Sequence, residues 1–117
     1  LEALIGNYLY TVARVLATKG NWAWKQYTVF LPTEREVCGT CVVSEKGYDR
    51  GFQGQYPIFR ESALYKVKRH NGSRMWWWNA SPYDGDAASF CSSGYSGIAT
   101  YDDADGSGGV APAFCVA

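Results

Sequence analysis

Three consecutive tryptophans, Trp76-Trp77-Trp78, limit what this chain can fold into more than any other feature. Side chains on a strand alternate faces, so Trp77 points opposite to Trp76 and Trp78, and one of the two faces must be core. The stretch that follows, from Tyr83 to Ser107, is rich in Tyr, Ser, Asp and Gly, and it returns to an apolar end at Gly109-Val110-Ala111-Pro112-Ala113-Phe114-Cys115-Val116. Tyrosine offers contact area at low entropic cost and small polar residues offer adaptable hydrogen bonds, a composition suited to a binding surface. Gly and Ser also make the turns of a small sheet protein, so composition by itself leaves both readings open.

At 117 residues the chain fits a single domain, expected to span 1–117. Eleven basic residues balance eleven acidic ones, which removes any broad field for nucleic acid or an anionic membrane surface. Leu1-Glu2-Ala3-Leu4-Ile5-Gly6 carries no basic leader region and no apolar run of membrane-spanning length, so no membrane insertion is expected. The start without Met reads as the C-terminal part of a longer protein, with possible self-association through the N-terminal region that would precede it.

Cys38, Cys41, Cys91 and Cys115 permit three disulfide pairings, a zinc site, or free thiols. Cys38-Gly39-Thr40-Cys41 has knuckle spacing, but Cys91 and Cys115 do not form a second knuckle, and no βαβ unit surrounds the first pair as redox catalysis would require. Cys91 and Cys115 each follow a Phe in an apolar run and read as buried strand residues. Buried free thiols are the primary expectation, with a Cys91 to Cys115 disulfide as the alternative.

Leu4, Ile5, Leu9, Val12, Ala13 and Leu16 recur at roughly helical spacing before Gly20, so residues 3–18 are expected to form an amphipathic helix. Asn21 to Lys25 reads as an aromatic connection whose Trp22 and Trp24 act as wall, leading into a β-rich run Tyr27 to Leu31 closed by Pro32. Thr33 and Glu36 make a capping-box pair for a short helical turn ending at Gly39. Residues 42–55, with Gly47, Gly51 and Gly54, suit a long irregular excursion. Pro57 opens a second short helix containing Ile58, Phe59, Ala63 and Leu64. Lys66, Lys68, Arg69, His70 and Arg74 lie in a solvated hairpin, with no Gly-rich cradle for a phosphate. Strands are expected at Met75 to Trp78, Ala87 to Cys91, Ile98 to Tyr101 and Val110 to Val116, the last made irregular by Pro112. The sum is an α+β domain whose loops gather late in the chain.

Leu31-Pro32-Thr33-Glu34-Arg35-Glu36-Val37, Tyr56-Pro57-Ile58-Phe59, Trp76 through Pro82, and Gly109 through Phe114 together resemble the C-type-lectin-like domains of bacteria and phages. The chain is most similar to the variable proteins of diversity-generating retroelements, and the resemblance covers most of it from residue 22 onward. Relatives usually carry Leu or Glu and then Arg where this chain has Asn79-Ala80, and often Arg where it has Ala111, which puts a buried ion pair in doubt. The resemblance implies a C-type-lectin-like fold with short helices, a small irregular antiparallel sheet and long loops. It implies a receptor-recognition domain for a host-surface protein or glycan, carried on a phage virion tail structure or a bacterial cell surface. In retroelement-diversified members, substitution at template adenines turns Asn codons into Tyr, Asp, Ser, Gly, Ile or Ala, and the tail from Tyr83 to Ser107 is rich in those residues. The candidate ligand-binding residues are Trp76, Tyr83, Asp84, Asp86, Tyr95, Ile98, Tyr101, Asp102 and Asp103. The near-constant second Trp of the family places Trp77 inward and leaves Trp76 for the presenting face.

Other classes fit less well. A hydrolase would need His70 in a triad or paired carboxylates such as Asp84 with Asp102 or Asp103, and neither set has a supporting motif. Formylglycine-generating enzymes resemble this fold and use active-site cysteines, which makes Cys91 and Cys115 worth testing. In EF-hand register the acidic run at Asp102 to Gly106 puts Tyr101 and Pro112 where acidic ligands are required, so no calcium loop forms. No catalytic residue, metal or cofactor is assigned. The main alternative function is a non-diversified structural module of a phage tail or surface protein.

Overall fold

The computed structural model describes residues 11–18, 21–45, 47–48 and 54–114. They form a mixed α+β structure of short helices and small antiparallel sheets, divided into two compact units.

The first unit contains β1 (Thr11–Thr18), β2 (Asn21–Tyr27), β3 (Val29–Phe30) and β9 (Ala113–Phe114). β1 and β2 form an antiparallel hairpin running from Thr11 opposite Tyr27 to Thr18 opposite Asn21. Residues 11–18 are therefore strand, which corrects the helix expected over 3–18; residues 3–10 of that helix lie outside the described residues. The apolar spacing of this segment is compatible with either period. A run rich in Thr and Val settles as strand once an aromatic partner strand is available, since strand preference is decided by pairing context. β2 likewise replaces the expected aromatic connection, and Trp24, expected as wall, is 46 % exposed. β3 pairs with β9 through Val29 opposite Phe114 and Phe30 opposite Ala113. The closing strand is thus shorter than expected as far as it is described, and Cys115 lies outside the described residues.

The second unit spans Leu31–Ala111. Its first helix, α1 (Glu34–Cys38), starts on a complete capping box: Thr33 Oγ1 accepts from Glu36 N–H at 3.2 Å, and Glu36 Oε1 accepts from Thr33 N–H at 2.9 Å. Gly39 ends it at φ 86°, a left-handed position that favours glycine. The carboxylate of Glu34 is fully buried and accepts the backbone N–H groups of Val42, Val43 and Ser44 at 2.6 to 3.2 Å. A carboxylate without water needs such donors, and here they tie the start of the irregular excursion to α1.

Pro57 opens α2 (Pro57–Glu61), and Ser62 breaks the helix before a 3-10 turn, Ala63–Lys66. The expected second helix is therefore two pieces. Ser62 is extended at φ −157°, and its Oγ accepts from Leu64 N–H at 3.2 Å to cap the second piece. β4 (Lys68–His70) and β5 (Ser73–Met75) form the basic hairpin around Asn71-Gly72, both at positive φ as a tight hairpin turn requires. β6 (Trp77–Pro82), β7 (Ser89–Ser93) and β8 (Ala99–Asp103) make a three-stranded antiparallel sheet. The expected strands at Met75 to Trp78, Ala87 to Cys91 and Ile98 to Tyr101 are each displaced toward the C-terminus, because Met75 ends the preceding hairpin and the Gly/Asp turns are longer than assumed.

The core of this unit is Val37, Phe59 and Trp77, with Cys38, Tyr56 and Ala111 packed against it. Trp77 is 1 % exposed, its ring lies 6.2 Å from that of Phe59, and its indole N–H donates to Lys66 carbonyl at 2.8 Å. That bond satisfies the one polar atom that burying a tryptophan strands.

Candidate functional site

The register of the three-stranded sheet assigns its side chains to two faces. Trp77 opposite Ser93, Ser93 opposite Ala99, and Cys91 opposite Tyr101 share the core side, and Trp78, Ser92 and Thr100 share the other. On the core side lies Asn79. It is 2 % exposed and exchanges hydrogen bonds with Ser93 Oγ at 3.3 and 3.4 Å, so a neutral pair occupies this place in the core.

Trp76 enters the sheet from the other side. Its ring meets Trp78 edge to face at 4.8 Å and lies directly on Gly108, where a Cβ would sit 2.2 to 2.7 Å from ring atoms. Only glycine allows that approach. The backbone completes the clamp, with Gly109 N–H donating to Trp76 carbonyl at 2.8 Å and Trp78 N–H to Gly109 carbonyl at 3.0 Å.

Beside Trp76 opens a concavity of about 400 Å³. Trp76, Tyr95, Ile98 and Tyr101 supply its aromatic and aliphatic lining, and Ser92, Ser96, Thr100 and Asp102 its polar groups. Tyr95 and Ile98 are 57 % and 64 % exposed on the turn between β7 and β8. That turn is held from below. Gly94 N–H donates to Ile98 carbonyl at 2.8 Å, and Gly97, at φ 84°, packs so closely on Ala63 carbonyl that a Cβ would stand 2.9 Å from it. A rigid base under exposed side chains leaves them free of packing duties.

The nine candidate residues divide. Trp76, Tyr95, Ile98, Tyr101 and Asp102 meet at the concavity. Tyr83 joins them only through Tyr101, on which it stacks at 3.7 Å and 5° between planes. The hydrogen bond to Tyr101, then burial, then the charges of Tyr101, Asp84 and Asp86 raise the Tyr83 hydroxyl above its ordinary value. Gly85 leaves room for the Tyr83 ring, because a Cβ there would stand 2.6 Å from the hydroxyl. Asp86 and Asp103 are engaged internally: Asp86 accepts from Ala88 N–H at 2.8 Å, and Asp103 accepts from Ser89 Oγ at 2.9 Å. Asp84 has an exposed side chain, and its N–H donates to Val43 carbonyl at 3.0 Å. Ser92, Gly94, Ser96 and Thr100 line the concavity without having been singled out from sequence. Strand alternation would have found Ser92 and Thr100, which face the same way as Trp78.

The remaining reactive groups lie elsewhere. Cys91 is a free, buried thiol whose Sγ donates to Pro82 carbonyl at 3.5 Å, so the Cys91 to Cys115 disulfide is not formed. Burial, then the charges of Glu34, Cys41 and Cys38, push this thiol far up. Burial also raises Cys38, with Lys66 opposing and Glu34 adding. A thiol held protonated is a poor nucleophile. His70 is exposed on the basic hairpin. Among the described residues no three His, Cys, Asp or Glu side chains gather to hold a metal ion, and no helix is long and apolar enough to cross a membrane.

No curated protein and no solved structure matches the chain. A family described as Domain of unknown function (DUF6273) matches residues 11–117. Because that match takes in both units and nearly the whole sequence, the chain belongs to the DUF6273 family.

Proposed function

We propose that this protein is a ligand-binding display domain with a C-type-lectin-like fold, a variable protein diversified by a retroelement that recognises a protein or glycan on a bacterial surface. The carrying observation is the separation of roles within one sheet and its turn. Trp77, Asn79, Cys91 and Ser93 are buried on β6 and β7, while Tyr95 and Ile98 on the turn and Tyr101 on the edge strand β8 stand 57 %, 64 % and 48 % exposed around a concavity. Interface energy concentrates in a few exposed aromatic anchors, and these are the residue types presented. The Tyr, Ser, Asp and Gly content of the same segment supports diversification, and the setting that goes with it is a phage tail structure or a bacterial surface.

The test is the double variant Tyr95→Ser/Tyr101→Ser titrated against bacterial cells that bind the unaltered domain. Binding is expected to vanish, while stability falls by about 1 to 2 kcal/mol, the range of a lost ring stack plus a mild surface change. Retained binding would overturn the assignment of this face, and failure of the unaltered domain to bind any cell surface would favour the structural-module alternative. An adenine-rich near-repeat beside a reverse transcriptase gene in the neighbouring DNA would support the diversified origin separately from the binding test.

A further inference from the structure

We infer that the concavity beside Trp76 receives a cationic side chain, the ammonium of a lysine or the guanidinium of an arginine, presented by a protein partner. This rests on the binding reading of the same face and narrows its ligand from protein or glycan to a basic protein surface.

Three observations converge. First, three aromatic residues, Trp76, Tyr95 and Tyr101, line one space of about 400 Å³, and the faces of such rings attract cations. Of the two ring types present the indole of Trp76 is the stronger for this purpose, and its seat on Gly108 fixes the orientation of its plane. Second, the charge of the lining has one sign. Asp102 contributes a carboxylate, and among the described lining residues there is no Lys, Arg or His to oppose an incoming cation. One oxygen of that carboxylate, Oδ1, accepts Asp103 N–H at 2.7 Å, which holds the group in place; no protein donor reaches Oδ2 among the described residues. Third, Ser92 lines the same space at 1 % exposure, and its Oγ is buried with no hydrogen-bond partner among the described residues. An unpaired buried hydroxyl is costly, and a donor group on the ligand would satisfy it.

The combination discriminates between ligand classes. An anion would meet Asp102 with no compensating base. A purely apolar group would leave both Asp102 Oδ2 and Ser92 Oγ unpaired. An ammonium or guanidinium on an alkyl stem places its methylenes against Ile98 and the rings, and its donors at the carboxylate and hydroxyl.

The experiment is amide and indole chemical-shift titration of the full chain with four probes: the Nα-acetyl methylamides of lysine, arginine and norleucine, and methyl glucoside. Lysine and arginine should shift the Trp76 indole and the amides of Gly94, Ser96 and Thr100, with affinity weakening as salt rises. Norleucine, equal in stem and lacking charge, should bind about tenfold more weakly or not at all. Asp102→Asn keeps an oxygen for Asp103 N–H and so keeps the turn, and it should lower lysine affinity by about tenfold. Tyr95→Leu, on an exposed position, should weaken it several-fold without altering the rest of the spectrum.

Equal binding of norleucine and lysine, an unchanged affinity in Asp102→Asn, or shifts with none of the charged probes would each overturn the cation assignment. Shifts with the glucoside alone would also overturn it, while leaving the binding reading intact in favour of a glycan. The binding reading itself fails only if the Tyr95→Ser/Tyr101→Ser variant still binds cells, an outcome read without any of these probes.

Discussion

Cys91 shows how far one residue's surroundings decide its chemistry. It is fully buried on the core side of the sheet, and its environment favours the neutral thiol. The folded-state value lies above that of the unfolded chain, where a thiol titrates near its ordinary 9.0. Its contribution to stability is therefore complete below about pH 9 and is lost as pH rises through the folded value, because the unfolded chain then releases a proton that the folded one retains. Urea unfolding at pH 8 and pH 10 should show the unaltered protein losing about 1.4 kcal/mol more than Cys91→Ala over this interval, one pH unit of linkage beyond the unfolded value. Parallel pH dependence in the two proteins would mean that Cys91 ionises freely in the fold. Trp77 follows the same logic of placement. Alternation in the Trp cluster showed only that it faces away from Trp76 and Trp78, and burial to 1 % with a satisfied indole N–H shows which face is core.

Elements governed by neighbours a few residues away were legible in the sequence, and those governed by distant partners were not. The capping box at Thr33 and Glu36, the left-handed stop at Gly39 and the start of α2 at Pro57 all close within one turn, so residue type alone predicts them. β1 depends on β2, and no local pattern in 11–18 announces that pairing. The candidate site divides the same way. The exposed Tyr95 and Ile98 follow from turn chemistry, but the stacking of Tyr83 on Tyr101, and the engagement of Asp86 by Ala88 and of Asp103 by Ser89, need the folded register. Glu34 is the clearest case of an invisible role: eight to ten residues beyond it, three backbone N–H groups converge on its buried carboxylate. Glu34→Gln presents an amide N–H₂ where those donors expect oxygen. It should cost about 2 to 4 kcal/mol, the scale of losing charged hydrogen bonds in a buried site. Hydrogen exchange at Val42, Val43 and Ser44 should accelerate more than at the Val37 core. A loss below about 0.5 kcal/mol, typical of surface changes, would show that other contacts hold this segment.

At the scale of the molecule, the second unit uses glycine to bring backbone and large aromatic rings together without a side chain between them. Gly108 beneath Trp76 is the decisive instance, since Trp76 lines the concavity and Gly108 does not. Gly108→Val would place new atoms where the Trp76 ring now lies, within 2.2 to 2.7 Å already at the Cβ. The ring must turn aside, which opens the wall and weakens its edge contact with Trp78. The Val37, Phe59 and Trp77 core lies on the other face of the sheet and should remain intact. The expected outcome is a domain that still unfolds cooperatively, destabilised by about 1 to 3 kcal/mol from overpacking, yet, on the proposed function, binding cells far more weakly than the loss of stability accounts for. Replacing exposed Ser107, which does not line the concavity, by Ala is the matched control, with stability unchanged to within about 0.5 kcal/mol. Urea unfolding beside a cell-binding titration reads both quantities on the same samples. If Gly108→Val bound as well as the unaltered protein while losing the predicted stability, Trp76 would be a packing residue and the presenting surface would have to be sought on the Tyr83 and Tyr101 side alone.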